Sequence, residues 1–138
     1  MRATLAVIAG IVAGIAAMMA ISFVGSALFP IVAPPAPGGA IEQATAAFTH
    51  APTALKLFYV LAWFAGGLAA GLVAKLIVPS KRVGWTAVAI LTVLTAINIF
   101  VLPYPVWMEI ANIVAPLLGG LIGNHLVSDR AEPAAETA

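Results

Sequence analysis

Four apolar runs, each about twenty residues or longer and almost free of charge, leave this chain few folds to adopt. A hydrocarbon core of roughly 30 Å takes about 20 residues of α-helix to cross. No water is present there to satisfy backbone groups, so a spanning segment must be a helix or part of a closed barrel. Runs at 5–29, 55–78, 83–102 and 105–127 meet that length. They predict an all-α membrane protein, a four-transmembrane-helix bundle built of two helical hairpins. The first run exceeds the roughly 7 to 15 residues of a signal-peptide core. It therefore reads as a span, although Gly25-Ser26-Ala27 has the look of a cleavage site.

Composition closes off the alternatives. Of 138 residues, 63% are hydrophobic and 8% charged, against about 25% charged in soluble domains, so a water-soluble fold would lack the charge to cover its surface. The length suits one domain. A net charge of +1 supplies no basic patch to neutralise phosphates, which argues against a nucleic-acid partner. The chain has no cysteine, and with it go disulfides, thiolate nucleophiles and Cys-based metal sites.

The basic residues predict orientation. Arg2, Lys75, Lys81, Arg82 and Arg130 fall on one side of the four spans, and Lys56 alone falls on the other. Positive loops stay inside, so both termini are expected in the cytoplasm. Trp85 at the inner end, with Tyr59, Tyr104 and Trp107 towards the outer end, would form the aromatic belts found at headgroup level.

The long outer loop, 30–51, opens with Pro34, Pro35, Pro37, Gly38 and Gly39, which break helices and read as a stiff connector. In 40–50, Ile41, Ala44, Thr45 and Phe48 recur at helical spacing among polar residues. That pattern predicts a short amphipathic helix lying on the outer interface. Pro52 suits the start of the second span, where a missing N–H costs nothing. The tail 128–138 is short, charged and expected to be mobile. A weak parallel repeat relates Gly66-Gly67-Leu68 with Gly71 to Gly119-Gly120-Leu121 with Gly123.

Polar residues within spans are the default places to look for function. Asn98, Glu109 and Asn112 fall at similar expected depth, joined by Ser22 and Ser26 on the first span and Lys56 at the outer start of the second. Together they would form a polar outer-leaflet site for an ion or proton. The plainer reading is structural. Glu109 would favour the positive end of its helix dipole and pair with Lys56, the two asparagines would bond across the bundle, and Ser22, Ser26, Thr92 and Thr95 would bond to their own helices. Pro116 leaves the Asn112 carbonyl without its usual donor, which predicts a kink and a locally discontinuous last helix. The GxxxG pairs Gly10/Gly14, Gly67/Gly71 and Gly119/Gly123 would let helix backbones touch, within the bundle or between copies. His50 and His125 lie at opposite ends and share no ligand spacing, so no metal or cofactor is expected.

The segments Gly25-Ser26-Ala27-Leu28-Phe29-Pro30, Leu61-Ala62-Trp63 and Pro103-Tyr104-Pro105-Val106-Trp107 resemble a group of small, functionally uncharacterised bacterial four-helix inner-membrane proteins. The resemblance implies the fold and a bacterial origin. Members of that group often carry an acid and a histidine where this chain has Ser22 and Ser26, so the resemblance itself carries over no ion or proton role to those two positions. With no nucleophile beside a base, no phosphate loop and no paired acids, the sequence reads as non-enzymatic. An accessory or assembly subunit, or a homo-oligomeric packing protein, is the first expectation. A small transporter or channel using Asn98, Glu109 and Asn112 is the second.

Overall fold

The computed structural model describes residues 1–32, 37–102 and 104–128. Pro34, Pro35, Pro103, Arg130 and the tail after Ser128 lie outside the described residues. Among the described residues five α-helices follow in order: α1 (Arg2–Leu28), α2 (Ala40–His50), α3 (Thr53–Ile77), α4 (Lys81–Ala96) and α5 (Val106–His125). A 3₁₀ turn, Ile97–Phe100, extends α4. There is no strand among the described residues. The spans containing α1, α3, α4 and α5 are each long and apolar enough to cross a membrane.

The third predicted span differs most from expectation. It starts at Lys81, two residues earlier than predicted, and its α-helical part stops at Ala96. The last carbonyls of a helix have no partner in the next turn, and tightening to 3₁₀ geometry satisfies some of them. Here the Asn98 carbonyl accepts from the Val101 and Leu102 amides, at 3.1 and 3.0 Å. α1, at 27 residues, is about 40 Å long at the α-helical rise. It is longer than the hydrocarbon core, as its sequence implies.

α3 is the helix the others are built around, and its sequence explains why. It carries two stripes of mostly small residues, each stepping by four and set one residue apart. Ala62, Gly66, Ala70 and Ala74 form the first; Trp63, Gly67, Gly71 and Lys75 form the second, and all eight are buried. One residue is about 100° of helix rotation, so the stripes open onto different neighbours. α1 runs antiparallel along the first, where a Cβ on Gly10 would come 2.6 Å from the Ala70 carbonyl oxygen, and one on Gly14 would come 2.8 Å from that of Gly66. α5 runs parallel along the second. A Cβ on Gly67 would overlap the Pro116 carbonyl, and Cβ atoms on Gly119 and Gly123 would overlap those of Phe64 and Leu68.

α4 closes the bundle by touching all three. Ala87 and Leu91 face Gly10 and Gly14 of α1, while Val88 faces Gly71 of α3 and Gly120 of α5. Ala70, Ala74, Ala87, Val88 and Leu91 make one core. A second core, at the other end, joins Phe48 of α2 to Trp63, Met108 and Ala115. All three expected glycine pairs are therefore occupied by contacts within the chain.

Candidate functional site

Among the described residues the most deeply buried charged group is Lys75, in the last turn of α3. A lysine this close to a helix end ordinarily extends its stem outward and leaves its ammonium in water. Lys75 instead points into the bundle, is 3% exposed, and donates from Nζ to the backbone carbonyl of Asn124 at 2.7 Å. The Asn124 side chain is also buried, and its Nδ2 donates to the Gly120 carbonyl at 2.9 Å. Two glycines make the room. A Cβ on Gly71 would lie 2.9 Å from Asn124 Nδ2, and one on Gly84 would overlap Oδ1. The amide is thus held between α3 and α4.

Reading Lys75 as a topological charge hides this centre. A signal is nonetheless present, because Gly67, Gly71 and Lys75 step by four along one face of α3, as Gly120 and Asn124 do along α5. A residue in register with glycines that touch a neighbouring helix must itself face that helix.

A second buried polar group lies deeper. Asn112 is 0% exposed, and neither its Nδ2 nor its Oδ1 has a hydrogen-bond partner among the described protein groups. Gly84 faces Asn124 and Val88 faces Gly120, so four residues forward on α4 match four residues back on α5. Two further steps bring Thr92 level with Pro116 and Ala96 level with Asn112. On this stretch of α4 the buried hydroxyls donate to their own helix, Thr92 Oγ1 to the Val88 carbonyl at 2.8 Å and Thr95 Oγ1 to that of Thr92 at 2.9 Å. Both threonines follow the plainer expectation of bonding to their own helix.

The other sequence candidates do not gather around Asn112. Asn98 is exposed on the 3₁₀ turn and does not bond across the bundle as expected, because the tightened turn rotates it away from the buried face. Ser26 is exposed, and Ser22 and Glu109 are half-buried. Glu109 keeps its expected place in the first turn of α5, but the pairing with Lys56 is not made among the described residues. Lys56 Nζ instead lies 5.5 Å from the centre of the Phe48 ring, a cation–π contact that draws it towards α2. α5 is continuous through Pro116, so the expected local break is absent. The Pro116 carbonyl is the surface on which Gly67 rests.

Four cavities lined by described residues have none of Asn98, Glu109, Asn112, Ser22, Ser26 and Lys56 on their walls. One of about 210 Å³ lies beside Phe48, Tyr59 and Tyr104 at the α2 end. There Tyr104 stands edge-on to Phe48 and to Trp63, with ring centres 4.8 and 5.7 Å apart. Burial, with a smaller contribution from Tyr59, pushes the Tyr104 phenol up to about 12. It stays neutral and packs as an aromatic. His50 folds back on its own helix, with Nδ1 2.8 Å from the Ala46 carbonyl, and no cluster of metal-ligating residues occurs among the described residues.

Comparison with models of protein families, with curated proteins and with solved structures finds no match to this chain.

Proposed function

We propose that this chain is a small multi-pass protein of the bacterial inner membrane that works by packing rather than by catalysis. It serves as an accessory or assembly subunit, or as a homo-oligomer. In this reading the bundle consists of two hairpins, α1 with α3 and α4 with α5, with α2 lying on the outer interface. The end bearing Arg2, Lys75, Lys81 and Arg82 faces the cytoplasm, as the positive-inside rule requires.

One observation carries the reading against the transport alternative. Asn112, the polar group at the right depth for a transport path, is sealed between helices whose glycines lie on each other's backbone. The remaining polar candidates are dispersed around it. α1 adds support from outside, because its buried positions are the small Ala6, Gly10, Gly14 and Gly25, while Leu5, Val12, Met19 and Phe23 are well exposed. That leaves a bulky apolar face for lipid or for another helix, and in lipid such faces associate by shape.

Purification in a mild detergent, with identification of co-purifying proteins, tests the proposal. A complex with a membrane partner, or a discrete multiple of the 14.0 kDa chain, is expected. A lone chain at monomer mass would count against both forms.

A further inference from the structure

The recess of about 210 Å³ lies between α2 and the bundle. α2 supplies Ala44, Ala47 and Phe48 to its wall, and the bundle answers with Tyr59 and Tyr104 among aliphatic side chains. Phe48 is inclined at 52° to Tyr59 and at 88° to Tyr104, so the wall presents ring faces and edges in several directions. The two phenol hydroxyls are its only polar side-chain groups. Among the described residues neither hydroxyl is hydrogen-bonded to another protein group. An O–H in apolar surroundings is costly without an acceptor, so the wall carries two donors and nothing of its own to receive them.

The surroundings select against a charged ligand. No lining residue is charged, and the neighbours in sequence, 33–36 and Pro103, are only alanine and proline. Burial first, and Tyr59 second, hold the Tyr104 phenol above its ordinary range, so it donates as a neutral group. An anion would be desolvated on a wall without a cation. A cation would approach the Lys56 ammonium, which already sits over the Phe48 ring at 5.5 Å. What fits is a neutral molecule with oxygen acceptors and a flat body that packs on inclined rings. Tyr59 and Tyr104 fall at the headgroup level expected of aromatic belts, so a lipid-soluble ligand reaches them from the bilayer.

We propose that this recess binds the head of a neutral, carbonyl-bearing lipophile of the isoprenoid-quinone type, with Tyr59 and Tyr104 donating to its oxygens and Phe48 packing against its ring. Ala44 and Ala47 set what enters, because their single methyls leave the space open. The site is independent of the packing role proposed above, since it concerns a membrane-soluble small molecule and not a protein partner.

Trp63 is the reporter, edge-on to Tyr104 with ring centres 5.7 Å apart. The chain has three tryptophans, so Trp85→Phe with Trp107→Phe leaves Trp63 alone. The full chain in this background, in phosphatidylcholine nanodiscs, is titrated with ubiquinone-1 while Trp63 fluorescence and the melting curve are read. Quenching is expected to show a saturable phase above the linear loss caused by quinone dissolved in the lipid. Tyr59→Phe and Tyr104→Phe keep the rings and should each weaken that phase about fivefold, the usual worth of one hydrogen bond. Ala47→Leu fills the recess and should abolish it; if that variant fails to fold, Ala44→Leu on the exposed side of α2 takes its place. Val114→Leu is the control, because it lines a different groove with Leu57 and Leu118, and it should leave the saturable phase unchanged. The proposal is overturned if quenching of Trp63 is only linear, if a folded Ala47→Leu or Ala44→Leu protein keeps the saturable phase, or if neither tyrosine variant weakens it.

Discussion

Replacing Gly119 with leucine is expected to cost the bundle its fold in detergent, seen as a lost or strongly lowered melting transition. A Cβ there would overlap the Phe64 carbonyl oxygen and lie 2.8 Å from the Leu68 amide nitrogen. Both obstacles are backbone, so no rotamer change relieves them, and α3 and α5 must separate. Overpacking typically costs about 1–3 kcal/mol, a large share of the usual margin of about 5–15 kcal/mol. Two controls set the scale. Gly39→Ala should change little, because the nearest atom to its new Cβ is the end of the flexible, exposed Glu42 side chain at 3.3 Å. Glu109→Gln should also be nearly silent, since no ion pair among the described residues depends on it. A Gly119→Leu protein that melts like wild type would mean that α3 and α5 do not touch.

The second large effect has the opposite sign. Asn112→Leu is expected to raise stability by about 1–3 kcal/mol, the usual penalty for a buried polar group without a partner. Leucine is close to asparagine in shape and brings no polar atom, so it fills the same space between α4 and α5. Most core substitutions destabilise, which makes a gain here diagnostic. Chemical or thermal melting in one detergent reads it directly. A loss of stability would show that the amide is satisfied inside the bundle, and the sealed, packed interior argued above would be wrong.

The features behind these two effects are unequally legible in the sequence. The spans can be located from length and apolar content alone, because lipid forces every backbone group into a helix. α2 is also legible, since Ala40–His50 follows a proline-rich and glycine-rich connector and repeats at helical spacing. The glycine pairs are visible as a pattern, but their partners are not. Gly67 meets Pro116 and Gly10 meets Ala70, and no local signal chooses between a contact inside the chain and one with a second copy. Side-chain direction is the other gap. Asn98 falls on an apolar run and still turns outward, because the helix tightens to 3₁₀ just there. Lys75 reads as a surface charge near a helix end and still turns inward, because glycines one turn earlier on α3 and across on α4 leave room for Asn124 to receive it.

If the chain threads a membrane with the two ends of α3 on opposite faces, cysteine labelling in intact cells shows it most directly. Thr45 in α2 precedes α3, and Ser80 follows it. The chain has no cysteine of its own, so a single cysteine at either position is reported without background. An impermeant thiol reagent should label Thr45→Cys, and should reach Ser80→Cys only after the cells are permeabilised. The distribution of basic residues demands that order. Labelling of Ser80→Cys but not Thr45→Cys in intact cells would invert the orientation, and equal labelling of both would contradict a membrane-spanning α3.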